Sequence, residues 1–311
     1  MLSVMTQLQE QSDRQRRRAK LRRSRAALLS GLRRYPPELL GSLLKRDELS
    51  PASQPLLADL QAHHLAVCWL GHGSVLAKLG EVTLAVDPVL SPRVGPRIAG
   101  RIWGPVRRQT PPAKAAALRG LDLVLITHAH YDHLDRDTLA QLASPATTIV
   151  VPERCARLIP KGFGKVVPLR APDEVVLHGV KIAGVKPRHW GARTWLDRRR
   201  GFNAYVVRHA RGSLLLTGDT AMTDAFDDLG PVDLAVFGIG AYDPWDHMHA
   251  TPEEVWRMFD ACGAERLLPV HHSTFILSDE PVDEPMQRLT AAAGEERGRI
   301  VTASAGEVVV W

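Results

Sequence analysis

Thr127-His128-Ala129-His130-Tyr131-Asp132-His133-Leu134 places three histidines and a carboxylate within six residues, directly after the apolar run Leu121-Asp122-Leu123-Val124-Leu125-Ile126. Imidazole nitrogens and carboxylate oxygens are the usual donors to zinc and similar cations, and several must converge at about 2 Å from the ion. Such a cluster is costly to assemble unless it binds something, so a metal site is the first reading. The run before it reads as a buried strand, short, partly β-branched and bounded by Gly120. Extended residues two apart share a face, so His128 and His130 project together. Asp132 and His133 follow where the chain must turn, and Asp135 or Asp137 is placed to cap the helix that Leu139 and Leu142 suggest. One short loop can thus offer two donors to one cation and two to another.

A dinuclear site needs more donors than this loop holds, and three stand at other strand ends. His189 follows Val180 to Val185 in Lys186-Pro187-Arg188-His189-Trp190-Gly191. Asp219 closes Ser213 to Thr217 in Thr217-Gly218-Asp219-Thr220, where Gly218 permits close backbone approach. His271 follows Leu267 to Val270 in Pro269-Val270-His271-His272-Ser273-Thr274-Phe275, with His272 as the alternative donor one residue on. Each alone is weak, because an aspartate after glycine is often a turn residue and a strand-end histidine is often merely exposed. Together they put polar donors at strand ends across half the chain.

These residues resemble the metallo-β-lactamase superfamily, whose His-x-His-x-Asp-His motif is matched by His128, His130, Asp132 and His133, and whose later ligands are matched by His189, Asp219 and His271. Within it the chain is similar to the N-acyl phosphatidylethanolamine-hydrolysing phospholipase D branch and its bacterial relatives. The matching segments are Trp69-Leu70-Gly71-His72, Val86-Asp87-Pro88-Val89, Pro187-Arg188-His189-Trp190, Gly238-Ile239-Gly240-Ala241-Tyr242, Met248-His249-Ala250-Thr251-Pro252-Glu253-Glu254, and Val270-His271 with Thr274-Phe275. The resemblance runs from about Leu65 to about Pro285. It departs at His272-Ser273, where relatives tend to carry an aromatic-glycine pair, and near Gly201-Phe202-Asn203, where they are richer in tryptophan.

The resemblance implies an α/β (α+β) fold, a four-layer αββα sandwich, holding two divalent metal ions, zinc ahead of iron or manganese. His128, His130 and His189 would serve one ion, Asp132, His133 and His271 the other, and Asp219 both. Asp132 and Asp219 are the expected catalytic residues, around a hydroxide that bridges the two ions. His72 and Asp87, each at a turn after an early strand, are expected behind the ligands, where they would fix ring orientations. His249, Tyr242 and Trp190 are expected at the substrate rim. The implied activity is metal-dependent hydrolysis of a phosphodiester, a phospholipid in the phospholipase D manner being the leading substrate class. A lactonase or other small-molecule ester hydrolase is the alternative, ahead of a ribonuclease or a non-catalytic metal-binding module.

Around the motif, Leu65 to Leu70, Val75 to Leu79 and Val82 to Val86 read as an antiparallel meander with short glycine turns. A Pro-, Gly- and Arg-rich loop spans Asp87 to Gln109, and an Ala-rich helix is expected near Ala113 to Leu118. Further strands alternate with helices to the end, with Thr251 and Pro252 marking a helix start. Two strand-rich halves, each with helices, imply sheet packed on sheet with helices outside.

The 311 residues suffice for a full core, and the composition is ordinary for a globular chain. The net charge of +6 is local: residues 14 to 34 hold ten basic residues and no acid, leaving 30 basic against 34 acidic residues elsewhere. We therefore expect a basic helical extension over 1–55 and a hydrolase domain over 64–311. The extension reads first as a surface helix packed on its own domain or on a partner subunit in a homodimer, and second as a peripheral contact with anionic membrane. The acidic balance of the remainder, without interleaved aromatic and basic residues, argues against nucleic acid. No apolar run approaches the ~20 residues of a membrane span, and no secretory signal is evident, so a cytoplasmic protein is expected. Cys68, Cys155 and Cys262 lie far apart in apolar surroundings, which suits buried thiols.

Overall fold

Strand β1 (Leu65–Gly71) sends Val67 and Trp69 to one side of its sheet and Ala66, Cys68 and Leu70 to the other, and both sides are buried. That double burial sets the architecture of the computed structural model, which describes residues 56–194, 197 and 199–310. The extension over 1–55 lies outside the described residues.

β1, β2 (Ser74–Leu79) and β3 (Val82–Val86) form the expected antiparallel meander. Parallel additions follow: β6 (Leu123–Leu125), β7 (Thr148–Pro152) and β8 (Lys165–Leu169). With β15 (Val308–Val310) on the far edge, the first sheet runs β15-β1-β2-β3-β6-β7-β8. The second sheet has six strands ordered β14-β13-β12-β11-β10-β9. These are β9 (Glu174–Leu177), β10 (Val180–Val185), β11 (Ala204–His209), β12 (Gly212–Leu216), β13 (Val232–Gly238) and β14 (Ala264–Val270). A two-stranded hairpin, β4 (Arg97–Ile98) with β5 (Arg101–Ile102), rises from the Arg-rich loop.

One core lies between the sheets, where Val67, Trp69, Leu123 and Leu125 meet Leu214, Leu216, Leu234 and Val236. The two outer faces are covered by helices. On the first sheet these are α1 (Leu56–Gln61), through Leu56 and Leu60, and α2 (Arg136–Leu142), through Leu139 and Leu142. On the second they are α3 (Pro252–Ala261), through Val255, Met258 and Phe259, and α4 (Glu284–Ala293), through Leu289. The four layers are helix, sheet, sheet, helix, as expected. Period-two alternation produces this arrangement, because each central strand has an apolar residue for the inter-sheet core and another for the helices.

Local signals hold in detail. The Asp135 side chain accepts from the Asp137 N–H at 3.1 Å and so caps α2. Thr251 and Glu254 form a reciprocal capping box at the start of α3, with Pro252 in its first turn. The Ala-rich segment is shorter than expected and tighter, a 3-10 turn over Ala115–Leu118.

Direction within the sheets positions the site. β3 and β6 run parallel, β12 runs parallel to β13, and β13 to β14. β10 and β12 are both antiparallel to β11, hence parallel to each other. The loops after β6, β10, β12 and β14 therefore carry their donors at carboxyl ends of strands, and these donors meet in one place.

Candidate metal centre

The motif loop leaves β6 through Thr127, whose backbone N–H donates to Asp87 Oδ1 at 2.7 Å and whose hydroxyl bonds both Asp87 Oδ2 and, at 2.9 Å, His128 Nδ1. His128 thus presents Nε2 to the interior of the site, 2.9 Å from His130 Nδ1. His189, from the loop after β10, donates Nδ1–H to the Met248 carbonyl at 3.0 Å and presents Nε2, 3.4 Å from His130 Nδ1. Asp219 Oδ2 lies 3.5 Å from His128 Nε2 and 3.6 Å from His189 Nε2. Three nitrogens and one oxygen therefore converge, the spacing expected of atoms sharing one cation.

Asp219 Oδ1 faces a second set. It lies 3.2 Å from His133 Nε2 and 3.3 Å from His271 Nε2, while Asp132 Oδ2 stands 3.5 Å from His271 Nε2 and 3.8 Å from His133 Nε2. All seven residues expected as donors meet in these two sets. Of His271 and His272, the structure brings His271 to the cluster. His272 turns aside, its ring stacked on Trp69 at 4.7 Å and its Nδ1 2.9 Å from Ser273 Oγ, so it occupies an aromatic slot beside the site.

Asp87 and His72 stand behind these donors. Asp87 Oδ2 is 2.7 Å from His133 Nδ1, which turns His133 Nε2 inward. His72 Nε2 is 2.9 Å from Asp132 Oδ2, and both His72 and Asp87 are almost wholly buried. His72, Asp87 and His271 all have positive φ, 53°, 42° and 63°. Left-handed backbone at non-glycine residues is sparsely populated, and here three such residues border one site. Gly218, at φ 57°, is where glycine is needed outright: a Cβ there would lie 2.7 Å from Thr127 Cβ.

The donor set fits a cation. Among the described residues, His133 Nε2 and His271 Nε2 are buried with no hydrogen-bond partner, an arrangement costly for a nitrogen with nothing to bind. Burial alone would lower the His133 pKa, yet Asp219, Asp87 and Asp132 together raise it well above the ordinary histidine range. Burial alone would raise the Asp219 carboxyl, but His133, His271 and His249 hold it well below the usual range. His128 and His189, by contrast, are pushed down first by burial and stay neutral, the form that ligates metal.

The three residues expected at the rim divide. His249 is in the site, its Nδ1 3.9 Å from Asp219 Oδ2 and its ring 5.2 Å from that of His189, with a pKa pushed down to about 4 by burial. Trp190 lies at the rim, 41% exposed, its ring edge-on to His130 at 5.0 Å. Tyr242 is buried, donates its hydroxyl to Glu284 at 2.8 Å and lies under the Arg288 guanidinium. Its polar contacts are with Glu284 and Arg288 of α4.

Two residues escape motif reading. Thr127 holds Asp87 and His128 in place, and its hydroxyl next to the first histidine was the available signal. Arg193 donates Nη1 to the carbonyls of Ala129 and Leu134 at 3.1 and 2.9 Å, and its guanidinium lies over the Tyr131 ring. It clamps the motif loop from both ends and, four residues after His189, ties the two donor loops together. Nothing in its sequence context distinguishes it from a surface arginine.

A profile described as a beta-lactamase superfamily domain matches residues 83–272. An uncharacterized protein of Mycobacterium tuberculosis is 31% identical over 278 residues, covering 83% of this chain and 72% of its own. N-acyl-phosphatidylethanolamine-hydrolyzing phospholipase D 1 of Caenorhabditis elegans is 28% identical over 270 residues, covering 78% of this chain and 75% of its own. Among solved structures, a metallo hydrolase from the archaeon Ignicoccus hospitalis shares the fold with a TM-score of 0.58 at 18% identity, covering 79% of this chain and 98% of that one.

Proposed function

We propose, from the premise that this chain belongs to the beta-lactamase superfamily and is a metal-dependent hydrolase of it, that it cleaves a phosphodiester at a dinuclear centre. The observation that carries the reading is Asp219, whose two oxygens face two separate donor sets, Oδ2 toward His128 and His189 and Oδ1 toward His133 and His271. His128, His130 and His189 would hold one divalent cation, Asp132, His133 and His271 the other, and Asp219 both, with zinc favoured by the predominance of imidazole. When bound, such ions supply an activated water at neutral pH and positive charge for the oxyanion that develops.

The chain's own residues do the rest. Asp87 and Thr127 hold the tautomers of His133 and His128, so that each presents Nε2. His72 fixes Asp132, whose carboxylate orients the attacking water. His249, neutral at pH 7, stands beside Asp219 to hydrogen-bond the substrate, and Trp190 offers an apolar wall at the mouth. The similarity to a phospholipase D of the N-acyl phosphatidylethanolamine type supports an amphiphilic phosphodiester as substrate class.

The test is hydrolysis of bis(p-nitrophenyl) phosphate and of N-acyl phosphatidylethanolamine by the zinc- or manganese-loaded protein. Activity that Asp219→Ala abolishes supports the reading. Turnover of lactones alone, with both phosphodiesters left intact, overturns it.

A further inference from the structure

A histidine that ligates a cation has a second ring nitrogen aimed away from it, and that outward N–H almost always finds an acceptor that fixes the ring. Most of the donor histidines here follow the rule. Thr127 Oγ1 meets His128 Nδ1 at 2.9 Å, Asp87 Oδ2 meets His133 Nδ1 at 2.7 Å, and the Met248 carbonyl meets His189 Nδ1 at 3.0 Å. His271 Nδ1 has no such partner among the described residues, but its ring is enclosed by those of His72, His133 and His249, at 4.0, 5.2 and 5.4 Å. His130 is the remaining case.

His130 turns Nδ1 toward the donor set, 2.9 Å from His128 Nε2 and 3.4 Å from His189 Nε2. With Nδ1 given to a cation, the ring proton sits on Nε2. That nitrogen is buried, and no hydrogen-bond acceptor among the described residues meets it. What lies against His130 instead is Trp190, with ring centroids 5.0 Å apart and planes at 67°, an edge-to-face pair. The other rings against His130 are those of His128 and His189, donors of the same set, so Trp190 is the neighbour from outside it. Trp190 keeps 41% of its surface in solvent, so hydrophobic burial alone does not account for its place.

We propose that Trp190 is the positioning residue of His130: its indole face accepts the Nε2–H and so keeps Nδ1 aimed at the cation shared with His128 and His189. Trp190 would do for this ring what Thr127, Asp87 and Met248 do for the others. An aromatic face is electron-rich and a ring edge electron-poor, so the contact is favourable, and it strengthens when a cation draws electron density from the imidazole. Trp190 directly follows His189 in the chain, so the loop that delivers one donor also sets the ring of another. The inference rests on His130 being a donor to that cation, and not on which bond the enzyme cleaves.

The experiment measures zinc affinity of the full-length protein by competition against a chromogenic chelator, in wild type, Trp190→Phe, Trp190→Leu and His130→Ala. Nitrogen-15 correlation spectra of the histidine rings of the zinc-loaded protein accompany it. Trp190→Leu keeps an apolar cover and removes the π face, and should weaken zinc binding about three- to tenfold, the worth of one edge-to-face pair, while Trp190→Phe stays within about twofold of wild type. In the wild-type spectrum the His130 Nε2–H signal, identified by its loss in His130→Ala, should lie upfield of the other histidine N–H signals, because a ring current shields a proton held over an aromatic face. Trp190→Leu should move it back downfield. Trp190 is partly exposed, so its variants should fold, and the wild-type spectrum tests the contact without any variant of Trp190. Affinity in Trp190→Leu equal to wild type, equal losses in the Leu and Phe variants, or a His130 Nε2–H without the upfield shift overturns the assignment. Zinc affinity unchanged in His130→Ala sinks the dinuclear reading and the positioning with it, whereas a loss there with no effect at Trp190 sinks the positioning alone.

Discussion

The His271 N–H donates to the His72 carbonyl at 2.9 Å, joining the β1–β2 turn of one sheet to the end of β14 in the other. Both residues have positive φ, and the turn is held further by Thr274 Oγ1, which accepts from the His72 N–H at 2.6 Å, and by Trp69 Nε1, which donates to the His72 carbonyl at 2.7 Å. Strained backbone persists where its surroundings over-determine it, and here that strain sets a donor histidine beside the ring that orients Asp132.

His72→Ala and Asp87→Asn should each weaken metal binding about 10- to 100-fold, because Asp132 and His133 would lose the partners that orient them. Competition against a chromogenic chelator measures this. Affinities equal to wild type in both variants would mean that the ligands hold their orientation unaided.

Gly218→Ala should destabilise the fold by at least about 1–3 kcal/mol, the cost of a left-handed residue, with the contact against Thr127 adding to it. Thermal unfolding would register a loss of several degrees. Because Gly218 and Thr127 belong to opposite sheets, an unchanged Tm would contradict the close approach itself.

Arg288 joins α3 to α4 with two bonds to Glu253, at 2.8 and 2.7 Å, and one to Glu284 at 3.1 Å. The Arg288 bond holds the Glu253 carboxyl below its ordinary value. A depressed carboxylate contributes stability above its unfolded pKa of about 4.3 and loses it as pH falls through the folded value. The pair is substantially exposed, so Arg288→Met should cost at most about 1 kcal/mol at pH 7. That difference should close in acid, and a gap of equal size at pH 3 and pH 7 would exclude the ion pair as its source.

All three cysteines are buried, and burial pushes the Cys68 thiol up to about 12 and that of Cys155 to about 11. Native protein at pH 8 should resist iodoacetamide at all three positions, with full alkylation in guanidinium chloride, since the thiolate is the reactive form. Rapid labelling of the folded protein, read by mass spectrometry, would contradict the burial of that cysteine.

Chelation should lower Tm, because a ligand bound only by the folded state stabilises it by about 2.7 kcal/mol at one hundred times its Kd. A scan with and without EDTA, followed by zinc, would show the loss and its recovery. Identical traces would separate folding from the metal centre.

Much of this protein is legible along the chain. Alternation in β1, β6 and β12 determines two-sided burial and hence the layers, and the caps at Asp135 and Thr251 start their helices where local chemistry places them. The donor loop is legible for the same reason: its side chains lie within six residues, and their spacing alone aims His128 and His130 together. Tertiary structure decided the rest. Whether His271 or His272 faces the cluster depends on a bond to His72, far away in the chain. Tyr242 packs under Arg288, and Arg193 gained its place through two carbonyls of the motif loop. Sequence patterns encode periodicity and local bonding, which act between near neighbours, whereas a site gathered from the ends of strands in two sheets exists only once hydrophobic burial has brought those sheets face to face.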